Sequence, residues 1–574
     1  MLVVGDSPHR ERSKNRTRGL SLSILVVTLL LLVVPMPGSK ASAQSPVHLH
    51  RNSAHKRRKV MQGLNASSQS PMQKGISFSA WWAGQYREPG ADLSLEFLAS
   101  TGANWIALIV TAHQDTYTST TIDFTDVSTP TDEDLIHVID KAHSLGLKVM
   151  LKPHLDLRNE TATGYWRGDI GSGFTTEAQW SAWFASYRNF IEHYALLAQN
   201  YGVDQFCVGT ELLGTTHRAG DWRAVVAGVR AIYDGPITYA ALKNGEETSI
   251  TWWDAVDYIG VDGYYKLYND PSRHPTVEEL EAGWEGPETI LANLSAAYGK
   301  PILLTEIGYR SHHGCSSHPW DSLIVSPIDL EEQACAYEAA FRQLYNEPWL
   351  AGFFWWQWLA DPFESGPCDD GYSPHLKPAE DVLRAWYGGA PRPPQPFLVA
   401  DYDQVMDIYT DGLASGWQDW SWDANHTFNA TDQAFSGTKS IAVTLGPWGA
   451  LSLWRPAFSS GQYHWLEFYV RGSSSSQPNL SVFFDSEDGT KLIHVPVNDC
   501  HHIEGGTIDV GTWKRVRIPL SYLNAPGLPL VRLTIQDKSG QGSTLFWIDD
   551  LRLVGAKEPV FSSWVYLPLV VRNN

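Results

Sequence analysis

Two glutamates in this chain of 574 residues sit where chemistry could be done. Each follows a short apolar run: Glu211 ends Phe206-Cys207-Val208-Gly209-Thr210, and Glu306 ends Ile302-Leu303-Leu304-Thr305. A pair of carboxyl groups flanking one bond is what glycoside hydrolysis needs. One protonates the leaving oxygen while the other attacks or stabilises the anomeric carbon. A single glutamate at a strand end is usually a solvated loop acid, so the weight rests on the joint placement of the two.

That placement depends on the elements around them. From Lys74 onward, eight apolar runs alternate with longer amphipathic stretches: 76–82, 105–110, 147–152, 203–209, 236–240, 258–261, 301–305 and 351–356. Helix-start signals precede several of the amphipathic stretches, as at Thr131-Asp132-Glu133-Asp134 and Thr175-Thr176-Glu177. Gly102, Gly146 and Gly202 stand where a helix-terminating glycine belongs. Eight such units predict a (β/α)8 TIM barrel over residues 74–388, with a doubly wound sheet as the alternative. No Gly-rich phosphate loop supports the alternative. In the barrel, Glu211 and Glu306 end strands 4 and 7 at the face where barrel active sites lie. A Pro-rich spacer at 389–396 follows, and the period then changes to two. Residues 397–556 therefore read as an all-β, jelly-roll-like sandwich. The tail, 557–574, is either an extra strand or a sorting signal.

Composition narrows the class. With 43 basic and 63 acidic residues the net charge is −20, which argues against a nucleic-acid partner. Residues 1–59 run against this balance at +9. A basic region at 10–18, an apolar stretch at 20–34 and Ala41-Ser42-Ala43 predict a signal peptide over 1–43. The competing reading of the apolar stretch is a short membrane anchor. A polar leader, 44–73, comes next. The expectation is a secreted or cell-surface protein, monomeric, with no stable membrane span once the signal is cleaved. Of the five cysteines, Cys315 and Cys368 are the expected disulfide pair, and Cys207 is expected to be a buried thiol. His312, His313, Cys315 and His318 have zinc-like composition, but they directly follow strand 7 and read better as cleft lining.

Residues 75–388 resemble glycoside hydrolase family 113, the β-1,4-mannanase family of the retaining clan A hydrolases. The resemblance is carried by Gly75-Ile76-Ser77-Phe78 through Gly84-Gln85-Tyr86, by Leu151–Asp156, by Val208–Leu212, by Tyr258–Tyr265, by Leu304–Arg310 and by Phe354–Trp358. It implies that Glu211 is the acid/base and Glu306 the nucleophile, and that a polysaccharide of mannan type is cleaved by double displacement with no cofactor for catalysis. Glucan, galactan or a non-catalytic carbohydrate-binding role are the rivals. Many clan members carry Asn before the acid/base where this chain has Thr210.

Strand parity supplies a supporting shell. Lys152, His154 and Asp156 share one face, and Asp262 and Tyr264 share another. The Tyr264 hydroxyl is expected to bond Glu306. Trp82, Trp356 and Trp358 are expected to stack on sugar rings, and Asn244 and Glu246 to meet hydroxyls. The chain holds 25 Trp, nine of them beyond residue 388. The Gly416–Trp422 stretch and the run Phe546–Leu551 resemble jelly-roll carbohydrate-binding modules. That resemblance implies a structural calcium ion, with Asp401, Asp403, Asp549 and Asp550 as candidate ligands.

Overall fold

A computed structural model describes residues 71–392, 402–473, 477–490, 492–497, 500–523 and 528–556. The signal peptide, nearly all of the leader, half of the spacer, Asp401 and the tail lie outside these residues.

Eight parallel strands close into a barrel: β1 (Gln73–Ser79), β2 (Trp105–Gln114), β3 (Lys148–Leu157), β4 (Gln205–Thr210), β5 (Ile237–Leu242), β6 (Tyr258–Asp262), β7 (Ile302–Ile307) and β8 (Leu350–Leu359). Their side chains alternate between two apolar layers. Ala107, Ile109, Met150, Cys207, Ala240, Leu303 and Phe354 pack together in one. Ile106, Leu108, Leu151, Val208 and Leu304 join the larger core that includes the helix side chains. Thr131 and Thr176 cap the helices Asp132–Ser144 and Glu177–Asn200 with reciprocal capping boxes. Gly102, Gly146 and Gly202 all take positive φ just past helix ends.

The alternation breaks where chemistry is expected. The pairing register shifts on β4 between Cys207 and Thr210, on β7 between Leu304 and Ile307, and on β8 opposite Ile76 to Phe78. Each shift inserts an unpaired residue and re-aims the side chains beyond it. Strict parity would send Glu306 outward with Leu304, but the shift turns it inward.

The second domain is antiparallel throughout: β9 (Tyr402–Tyr409), β10 (Gln418–Asp419), β11 (Trp422–Ala430), β12 (Ser440–Ser459), β13 (Trp465–Gly472), β14 (Leu480–Ser486), β15 (Val495–Pro496), β16 (Lys514–Pro519), β17 (Pro529–Asp537) and β18 (Phe546–Ala556). The path runs β15-β14-β17-β12-β18-β13-β16, with β10 and β11 on β12 and β9 on β18. The long β12 pairs β18 through its first half and β17 through its second. Its inward residues Ile441, Val443, Leu451 and Leu453 meet Phe468, Phe484, Ile535 and Ile548 in one core.

The expected Cys315–Cys368 bridge does not form. Cys368, in the loop after β8, pairs with Cys500 of the sandwich at a Cα separation of 6.1 Å, while Cys315 is a buried free thiol. The bridge lies beside a contact in which His501 Nε2 meets the Ser365 carbonyl and Phe363 and Phe97 pack on Tyr522. Cys207 is buried and free, as expected. No helix among the described residues is long and apolar enough to cross a membrane.

The bridge closes a loop of 132 residues. Its removal in Cys500→Ser should therefore cost about 2–4 kcal/mol, read as a lower melting temperature under non-oxidising conditions. An unchanged melting curve would show that the packed contact alone holds the domains.

Candidate active site

Lys152, fully buried on β3, reaches the centre of the barrel mouth. Its Nζ lies 2.5 Å from Glu306 Oε1 and 3.3 Å from Asp262 Oδ1. Burial opposes the ammonium charge, but the two carboxylates outweigh it and raise the lysine's pKa. The second Glu306 oxygen accepts the Tyr264 hydroxyl at 2.6 Å. The Glu306 carboxylate is therefore held from both sides, by a cation and by a phenol. Asp262 also accepts Thr305 Oγ1 at 2.8 Å, and burial together with the neighbouring Glu306 charge pushes its pKa well up.

Across the cleft, Glu211 lies one residue beyond β4. Burial pushes its pKa up to about 7, against the opposing pull of Arg167 and with the help of the Glu306 charge. Arg167, from the loop after β3, was not singled out by sequence reading. It pairs with Asp156 at 2.6 Å, lies 3.6 Å from Glu211 Oε2, and donates to His154 Nδ1 at 3.1 Å. A guanidinium can only donate, so His154 Nδ1 is the acceptor and the ring proton sits on Nε2. That nitrogen lies 3.5 Å from Glu306 Oε1. Burial, then the charges of Arg167 and Lys152, lower the His154 pKa well below its ordinary value, so the ring is neutral. Arg167 and His154 thus lie between the two carboxyl groups, 3.6 Å from Glu211 and 3.5 Å from Glu306 respectively.

Trp356 stacks on His154 with ring centroids 5.8 Å apart, and Trp81 meets Trp356 edge-on. Trp81 is the aromatic that joins this cluster, and its neighbour Trp82 stands 47% exposed on the rim. Trp320, with Lys243 Nζ 4.2 Å above its ring, and Tyr372, against Tyr264, extend the aromatic lining.

The structure places the remaining candidates differently. Trp358 is fully buried and points at the helix layer, donating to Ser94 Oγ and packing on His375. The register shift on β8 reverses its parity relative to Trp356. Glu246 is sealed in the protein beside Tyr239, so it meets no substrate hydroxyl. Asn244, exposed with φ 63°, forms a tight turn through its backbone N–H to Glu247. In the sandwich, the candidate calcium ligand Asp549 is engaged by the backbone. Its oxygens accept the backbone N–H groups of Phe435, Ser436 and Asp550. Asp550 bonds Ser436 Oγ, and Asp403 is exposed on β9. The four residues 312, 313, 315 and 318 do not converge either. The one metal-like grouping among the described residues is His313, Asp329 and Glu332. Glu332 there is taken up by Gly314 N, Ser316 N and Ser316 Oγ, and Asp329 by His313 and Glu332 N.

Lys152→Met would leave Glu306 and Asp262 buried together without their cation. Loss of about 3–5 kcal/mol is expected, measured by denaturant unfolding. A loss below about 1 kcal/mol would mean that the pair is not needed to keep these carboxyls in the fold.

Comparison with known proteins agrees with this geometry. Residues 77–377 match the family described as Glycoside Hydrolase Family 113, and residues 408–555 match the Expansin-like protein C-terminal domain. A solved GH113 β-1,4-mannanase in complex form is 31% identical, covering 56% of this chain and 99% of that one, with a TM-score of 0.50. The GH113 β-mannanase of Alicyclobacillus acidocaldarius is also 31% identical, covering 56% of this chain and 98% of that one, with a TM-score of 0.49. An endoglucanase of Dictyostelium discoideum is 31% identical over 120 residues, which are 20% of this chain and only 16% of that protein. The chain belongs to glycoside hydrolase family 113.

Proposed function

We propose that the chain is a retaining endo-β-1,4-mannanase that acts outside the cell. One observation carries the mechanism: two carboxyl groups share one barrel mouth in different surroundings, Glu306 held by Lys152 and Tyr264 and Glu211 buried beside Arg167. Glu211, its pKa pushed up to about 7, keeps a proton for the leaving oxygen. Glu306, ion-paired to Lys152 and bonded by Tyr264, presents a carboxylate to the anomeric carbon. In the first step Glu306 attacks, the glycosidic bond breaks, and the Glu211 proton passes to the departing oxygen. Glu211 is then left as a base that takes a proton from water, and the water displaces Glu306. The choice of mannan is supported by the family and by the solved β-1,4-mannanase that this barrel resembles along nearly all of that chain. Thr210 in place of the usual Asn is consistent with a sugar whose 2-hydroxyl is axial. Secretion is supported by the signal-like segment 1–43 and the acidic remainder.

The sandwich is proposed to grip the same polymer. Trp420, Trp422 and Trp448 are all more than a third exposed on one domain, with Trp420 stacked on Trp454 at 5.0 Å. Such rings cover the apolar faces of sugars.

Product analysis on mannan, β-glucan and galactan tests the assignment, with the anomer followed by NMR. Mannooligosaccharides released first as the β-anomer are expected. Cleavage of glucan alone, or first release of the α-anomer, would overturn the sugar or the mechanism respectively. The pH profile tests the proton assignment separately. Catalysis needs the Glu211 proton, so kcat/KM should fall about tenfold per pH unit above about 7. A rate that stays flat to pH 9 would contradict Glu211 as the acid.

A further inference from the structure

Glu211 has φ 54°, in the left-handed region that a non-glycine residue adopts only at a cost. Something must hold it there. On one side the Glu211 N–H donates to the Ala240 carbonyl at 2.8 Å. On the other, the next backbone N–H, that of Leu212, donates to the Tyr239 hydroxyl at 2.9 Å. A phenol has a single proton, and Tyr239 gives it to Glu246 Oε1 at 2.6 Å. The other Glu246 oxygen accepts the Leu242 N–H at 2.7 Å. Tyr239 is fully buried, its ring packed edge-on against the stacked pair Trp222 and Trp252 with both centroids 5.2 Å away, so its hydroxyl has a fixed position. Glu246 is 1% exposed.

We propose that Glu246 and Tyr239 form a positioning relay for the acid/base: Glu246 orients the Tyr239 hydroxyl, and that hydroxyl fixes the backbone turn that aims Glu211 at the glycosidic oxygen. Both are positioning residues, since neither touches substrate. The inference rests on reading Glu211 as the acid/base. It explains why a carboxyl group is kept in a sealed pocket of the turn after β5, where a hydrophobic residue would pack at lower cost. Burial pushes the Glu246 pKa up to about 8, but two donors, Tyr239 Oη–H and Leu242 N–H, converge on that pocket, and each meets its own carboxyl oxygen. A glutamine can accept from only one of them, and its NH2 then faces the other donor.

The test uses the leaving group. Mannan needs a proton on its departing oxygen, whereas 2,4-dinitrophenolate departs without one. In Glu246→Gln and Tyr239→Phe, kcat/KM on mannan should fall about 30–100-fold, the scale of a ~1 Å misplacement. On 2,4-dinitrophenyl β-mannobioside, kcat/KM should stay within about threefold, because it reports the first step alone. On that substrate kcat and KM should fall together, since breakdown of the glycosyl-enzyme needs Glu211 as a base. Added azide, which attacks the intermediate without a base, should restore kcat. An equal fall in kcat/KM on both substrates, or no change on either, would overturn the relay. The sugar assignment is read from the wild-type rate on mannan. If wild type cleaves another polymer, the same ratio is taken with that polymer and its dinitrophenyl glycoside, so the two ideas fail separately.

Discussion

The site depends on one buried cation. Carboxyl groups from β6 and β7 converge near the axis of a barrel whose interior is otherwise apolar. Lys152, on β3 and across the barrel from them, is the ammonium that allows Asp262 and Glu306 to be buried side by side. Isolated charges in such a place would cost several kcal/mol each, and like charges would add to that. The pairing fixes more than energy. It sets the height and rotation of Glu306, leaves its other oxygen to Tyr264, and puts the neutral Nε2–H of His154 alongside. Arg167 then carries the electrostatic link outward to Glu211 and Asp156, where it tempers the rise in the acid's pKa that burial causes.

The backbone is bent to serve this arrangement. Register shifts occur on β4, β7 and β8, the strands that supply Glu211, Glu306 and Trp356. A regular barrel strand offers only alternating inward and outward positions. A shift permits two successive inward side chains, as with Thr305 and Glu306, which both meet the Lys152–Asp262 group. The left-handed Glu211 is a further local departure that the surrounding hydrogen bonds over-determine.

Much of this was legible in the sequence. The eight apolar runs, the capping threonines and the glycines past helix ends gave the barrel, because each rests on a local rule. Lys152 and His154 followed from parity on β3, whose pairing with β2 stays regular, and Tyr264 continued the parity of β6 two residues past its end. Parity failed for Trp358, because a register shift is a property of two paired strands and leaves no mark in either one alone. Arg167 was hidden for a different reason. It comes from a loop, and no periodicity says where a loop side chain will point. The Cys368–Cys500 bridge joins two domains whose docking no local pattern encodes.

The two domains together suit a polymer: a cleft walled by Trp81, Trp356 and Trp320, and a sandwich with exposed indoles, joined by a disulfide beside an aromatic contact. At the centre is the claim that Glu306, held ready by Lys152, bonds covalently to the sugar. The most direct measurement is to trap that bond with a 2-deoxy-2-fluoro-mannosyl fluoride and to map the label by mass spectrometry of proteolytic fragments. The label should lie on Glu306 in stoichiometric yield. A label on Glu211 or Asp262, with Glu306 unmodified, would contradict the account.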